Sequence, residues 1–223
     1  MHLELPRVSL HSIKEFASHY LMIVVSILTA LGLEAVIENT HHRHAAESAH
    51  AAIVAEIRAN VAGVHDSVES NRARLKPLEE LDSALEQALA QGQPAPQVAA
   101  LISQRSRGGV DLGLFFPTLH REAWDVAVAN QSASWMDAAE LRRLSAAYTW
   151  ERDSQLNDMT HLFDGPRFVD AMTDARVGAV EPHEFLRVVH QATVTLRAAV
   201  NRYEGLERVL LRALGEPGAA AAH

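Results

Sequence analysis

Histidine and its neighbours are the first residues in this chain that suggest chemistry. His41-His42-Arg43-His44 stand together, with His50 beyond. His41 and His44 are three apart, so on a helix they share a face, and two imidazoles at that spacing can bind Zn²⁺ or Cu²⁺. A complete site needs three or four ligands, which Glu38 or Glu47 would have to supply. The same run also reads as a partly cationic collar at lipid headgroups, and that is the simpler reading. Glu47-Ser-Ala-His50 has the Glu-x-x-His spacing of two-metal bundles, but no copy stands on a second, facing helix. His183-Glu184 and His190 hold their imidazoles seven residues apart rather than four, so they do not converge on one metal. His120-Arg121-Glu122 falls at a helix start, where Glu122 suits the macrodipole. Glu151, Asp153, Asp158 and His161 are expected on one solvated helix face.

The second candidate group is aromatic. Aromatic residues make up only 5% of the chain, so Trp124, Trp135 and Tyr148 stand out as core anchors or as the wall of a small-ligand pocket. Trp150 is expected in the same cluster. There is no nucleophile elbow, no phosphate-binding glycine loop and no dinucleotide fingerprint. No cofactor and no enzymatic activity are expected.

Composition narrows the classes further. The chain has 223 residues, a formal net charge of -8 and only two lysines, Lys14 and Lys76, so it lacks the basic surface of a nucleic-acid binder. With no cysteine, disulfides, thiolate metal sites and cysteine nucleophiles are excluded. A core built on Leu, Val and Ala favours helices.

These side chains must be positioned by helices, and the first is apolar. Tyr20 to Leu33 carries no charge, and Phe16 to Leu33 supplies about 27 Å of helix, just enough to span a hydrocarbon core. Ala35, Val36 and Ile37 extend the run, and Glu34 and Glu38 mark the exit. A cleaved signal sequence, with Ala30-Leu31-Gly32 as its small-residue site, and a buried core helix are the competing readings. A retained anchor is favoured because Glu4 and Glu15 precede the run and Met22 to Leu33 is apolar all round. Arg7 and Lys14 before the run outweigh Arg43 after it, which places the N-terminus in the cytoplasm and the bulk in the periplasm. Ser26 and Ala30 form a small-xxx-small pair suited to close helix packing.

Beyond the anchor, Ile57, Val61, Val64, Val68, Asn71, Leu75, Leu78, Asp82, Leu85 and Leu89 follow coiled-coil-like steps of four and three. Asn71 and Asp82 read as interruptions, and Pro77 is expected to end or kink the helix. Short helices follow near 97–104 and 166–174. Thr118 is expected to cap a helix running to Asn130, and Asp137-Ala-Ala-Glu140 to open one running to Leu162 with Leu141, Leu144, Tyr148 and Leu156 inward. A last helix from Pro182 carries Phe185, Val189, Ala192, Leu196, Val200, Tyr203, Leu206, Leu210 and Leu214, closed by Gly215. The expected fold is all-α. A cytoplasmic segment (1–15) and a transmembrane helix (16–37) lead into an antiparallel bundle of four to five helices (38–215), with a disordered tail (216–223).

Glu56-x-x-x-Asn60 on the helix after the polar exit, Ala123-Trp124-Asp125-x-x-x-Ala129, Met136-Asp137 and Leu144-x-x-x-Tyr148 give the chain a family likeness. Over most of residues 15–160 it resembles a group of bacterial single-span membrane proteins known only as a domain of unknown function. The resemblance implies a membrane-anchored helical domain and brings no activity. The expected partners are the lipid bilayer and a second copy or another membrane protein. The expected role is interaction or self-association, with a periplasmic ligand sensor as the alternative and metal binding through His41 and His44 behind both.

Overall fold

Between Leu10 and Ala90 the chain is rich in Ala, Leu and Glu and holds a single proline, a composition that sustains a helix without interruption. The computed structural model describes residues 10–106, 114–156, 165–177, 179 and 181–216. Expectations for Asp158, His161, Leu162 and the tail beyond Glu216 fall outside these residues, as does the side chain of Leu156.

The first helix, α1 (Leu10–Ala90), has 81 residues, which at 1.5 Å each is roughly 120 Å of rod. Its first part is the one stretch, among the described residues, long and apolar enough to cross a membrane, with a mean hydropathy of 2.2 and none of the apolar window buried by the rest of the chain. It is therefore not a core helix of this domain. The helix then passes the histidine run without a break and enters the bundle.

Pro77 was expected to end or kink this helix; α1 does not end there and continues to Ala90. Proline costs the bond from its own position to the carbonyl four residues back, and flanking Leu75, Leu78 and Leu81, all buried, hold the rod together across the gap. Pro77 itself is exposed. Pro77→Ala restores the missing bond without disturbing the core, and should raise stability by about 2 kcal/mol in urea unfolding of the full chain in detergent.

The remaining helices are α2 (Ala95–Ser106), α3 (Glu122–Ala129), α4 (Ala138–Leu156), α5 (Gly165–Val177) and α6 (Pro182–Ala213), with a 3₁₀ turn at Ser132–Trp135. Among the described residues no strand occurs, and the architecture is a helical bundle. α6 runs antiparallel along the distal part of α1: His65 pairs with Glu207, Arg72 with Glu204, Arg197 with Glu79 and His190 with Asp82. The partner numbers fall as the α1 numbers rise. Between these rims the two apolar stripes meet. Ile57, Val64, Val68, Leu78 and Leu85 on α1 and Phe185, Val189, Leu206 and Leu210 on α6 are essentially inaccessible to water. The coiled-coil-like stripe of α1 is thus consumed within the chain.

The start of α4 and both ends of α6 follow their sequence signals. Asp137 accepts hydrogen bonds from the Ala139 and Glu140 amides at 2.8 and 3.0 Å, which holds its carboxyl below the usual range. The Glu140 side chain completes no capping box; it reaches His50 on α1 at 2.8 Å. Glu181 caps α6 through the Glu184 amide, and Gly215 closes it with φ +76°. At the end of the bundle far from the apolar run, Ser103 on α2 donates to the Ala175 carbonyl on α5 at 3.0 Å.

Candidate functional site

The polar centre of the molecule is built on an extended segment whose last residues, 119–121, were expected to be helical. Thr118 does not cap a helix; α3 begins only at Glu122, and residues 114–121 are not helical. Two buried asparagines on α1 account for this. The Asn71 carboxamide donates to the Phe115 carbonyl and accepts from the Phe115 amide, both at 2.9 Å. The Asn60 carboxamide does the same with His120, at 2.7 and 2.9 Å. Eleven residues of helix rise about 16.5 Å, and five residues of extended chain span the same ~16.5 Å. The two asparagines therefore match the spacing of two backbone units in an extended segment lying antiparallel to the helix. Pro117 between them cannot donate and fits this course.

The second nitrogen-bound hydrogen of Asn60 goes to Glu151 of α4, at 2.8 Å. One turn earlier on α1, Glu56 accepts the Tyr148 hydroxyl at 2.5 Å and the Ala123 amide at 2.8 Å, so it also caps α3. Trp124 stacks on Tyr148 with ring centroids 5.0 Å apart. Glu56, Asn60, Trp124, Tyr148 and Glu151 thus form one junction joining α1, α3, α4 and the extended segment. Burial is the main cause that pushes Glu151 up to about 7, and the nearby negative charge of Glu56 adds to it. Burial and the bond to Glu56 push the Tyr148 phenol far up. Glu151 was expected on a solvated face and is instead 3% exposed. Its position was readable only from the pairing with Asn60, ninety-one residues away in sequence.

Of the aromatic residues expected to share a pocket, Trp124 and Tyr148 come together and Trp135 does not join them. Trp135 is exposed and stacks on His42, with centroids 3.8 Å apart and planes 14° apart. Trp150 is exposed as well, two residues past Tyr148 and so on another face of α4. A cleft of about 410 Å³ lies between α1 and α3, lined by Ala45, Ser48, Ala49, Val126 and Ser132 among others. Glu56, Tyr148 and Glu151 are not in its wall.

The histidines also separate. His41 and His44 are exposed, and the engaged histidine is His42, which contacts Glu38 at 3.4 Å as well as Trp135. His50 pairs with Glu140. Among the described residues, the group with metal-ligand proximity is Asp82, Glu86 and His190, whose ligand atoms lie within 4.8 Å of one another. His190 Nδ1 sits 3.0 Å from Asp82, within hydrogen-bond reach, and 3.8 Å from Glu86, which is ion-pair proximity without a hydrogen bond. Asp82 is 7% exposed, and its other oxygen has no hydrogen-bond partner. Removing the imidazole should be felt. His190→Ala is expected to cost about 2 kcal/mol, read in urea unfolding, with Asp82→Asn in the same background recovering most of it.

The described residues define an all-helical protein with a polar junction centred on buried Asn60, Tyr148 and Glu151, and one helix long and apolar enough to cross a membrane. No family model, no curated protein and no solved structure matches the chain.

Proposed function

We propose that this chain is a non-enzymatic, single-span membrane protein whose helical domain serves as an interaction or self-association module. The observation that carries the reading is the unbroken course of α1 from the exposed apolar run into the domain core. Such a rod presents the domain at a fixed height and orientation above the bilayer. A binding module gains from that preorganisation, whereas a tethered enzyme would need only a flexible linker. The junction around Asn60 supports the reading too, because its polar groups are used on one another and the α1–α3 cleft does not reach them. The excess of Arg7 and Lys14 over Arg43 favours an N-terminus in the cytoplasm and a periplasmic domain, in keeping with the bacterial single-span group that the sequence resembles.

With the α1 stripe buried against α6, the surfaces left for a partner lie elsewhere. On α3, Val126 and Val128 are 60% and 52% exposed beside the α1–α3 cleft. In the span, Ser26 and Ala30 are exposed. A photo-crosslinking residue at Val126 or Ser26 of the full chain should yield a discrete dimer or heteromer in membranes. Monomer alone at both positions contradicts the interaction role. A reporter fused after His223 should read out on the periplasmic side. The same cleft, with Glu122 and Asn130 in its wall, favours a small-ligand sensor as the second reading. A ligand panel that shifts tryptophan emission, with the shift lost in Trp124→Phe, would prefer it.

A further inference from the structure

Trp135 is placed oddly for a residue of the soluble domain. It lies ninety-three residues beyond His42 in sequence, yet the 3₁₀ turn that carries it folds back onto α1 just above the apolar run. The turn is held firmly. Ser132 and Ala133 are buried, Ser132 bonds the Asn130 side chain through both its amide and its hydroxyl, and Gln131 takes a left-handed backbone with φ 64°. A non-glycine residue at such a φ costs about 1 kcal/mol or more, so the surrounding contacts impose this course on the chain. For all that, the indole at its tip is left 53% exposed.

Height along α1 explains the exposure. Ile37 ends the apolar run, and His42 lies five residues further, about 7.5 Å along the axis. The headgroup layer on each side of a bilayer is roughly 5–7 Å deep, so the Trp135 ring stands at its outer edge. An ordinary helix tilt of ~20° toward the side that carries the turn lowers the ring further into that layer. Tryptophan, with an apolar body and one N–H donor, is the side chain that settles at this depth. Arg43 and the flanking His41 and His44 stand at the same level on α1 and suit lipid phosphates.

We infer that the Ser132–Trp135 turn is a membrane foot: Trp135, braced by His42, seats the helical domain on the phospholipid headgroups and fixes the tilt of α1. The inference rests on the reading of α1 as a membrane span, and its test separates the two. Trp150 supplies an internal control. It is also exposed, at 47%, but its neighbours Tyr148 and Glu151 pair with Glu56 and Asn60, which puts it about 30 Å beyond Ile37.

The full chain is reconstituted in phosphatidylcholine–phosphatidylglycerol vesicles carrying a nitroxide either high or low on the acyl chain. The shallow label should quench part of the wild-type tryptophan emission. That component should vanish in Trp135→Phe and survive in Trp150→Phe; both residues are exposed, so neither change disturbs the core. Leu28→Trp, in the middle of the apolar run, should add a component quenched by the deep label. Deep quenching of Leu28→Trp without shallow quenching of the native chain overturns the foot and leaves the span standing. Shallow quenching that persists in Trp135→Phe also overturns it. No deep quenching of Leu28→Trp overturns the span and the foot together.

Discussion

Replacing Asn60 by leucine is expected to destabilise the domain by about 4 kcal/mol. The side chain is inaccessible to water, and it serves three groups at once: the His120 amide, the His120 carbonyl and the Glu151 carboxyl. Leucine fills much the same volume but leaves all three without a partner in a dry interior, at about 1–3 kcal/mol each before relaxation. Asn71→Leu tests the other end of the same arrangement. It strands only the two backbone groups of Phe115, near a more exposed part of the segment, and should cost about 2 kcal/mol. Urea unfolding of the full chain in detergent, followed by far-ultraviolet circular dichroism, gives both values. Equal and small losses would mean that residues 114–121 are held by packing and not by the two carboxamides.

The second large effect is a pH dependence centred on Glu151. Its carboxyl titrates near 4.5 in the unfolded chain and is pushed up to about 7 in the folded one, chiefly by burial and then by the charge of Glu56, against the opposing bond from Asn60 and the charge of Arg121. The folded state therefore holds this proton more tightly. The corresponding stability is fully present below about 4.5 and is lost as pH rises through about 7. At 1.4 kcal/mol per unit, the change amounts to about 3 kcal/mol for a group this deeply buried. Glu151→Gln keeps an acceptor for Asn60 and removes the ionisation. The stability difference between variant and wild type should swing toward the variant by about that amount between pH 4.5 and pH 8, and then level off. A difference that stays flat across this range would show that Glu151 is hydrated or compensated in the folded protein.

Much of the fold was legible because it rests on periodicity. The stripes Ile57 to Leu89 and Phe185 to Leu214 are the faces that meet in the core, and the cap at Asp137, the start at Pro182 and the close at Gly215 lie where short-range rules place them. What escaped reading depends on contacts distant in sequence. Asn71 and Asp82 looked like defects in the stripe, yet one holds Phe115 and the other pairs with His190. Glu151 looked like a surface carboxylate because its partner is on another helix. Thr118 offered a sound capping signal that lost to two asparagines drawing the backbone straight. The spacings Glu56-x-x-x-Asn60 and Leu144-x-x-x-Tyr148 did carry the signal of the junction, since each puts its two residues on one helix face. Nothing local said that the two faces meet, or that Trp135 would return to His42.

The proposed role stands on α1 being a single rod through the membrane exit, and the absence of cysteine makes this directly measurable. Leu33→Cys and Glu69→Cys sit on exposed positions ten turns apart, one in the apolar run and one beside the bundle. Spin labels at the two sites, measured by pulsed electron–electron resonance in nanodiscs, should give one narrow distance distribution near ~54 Å. A broad distribution, or a maximum well short of that length, would mean a hinge near the histidine run and would contradict a rigidly presented domain.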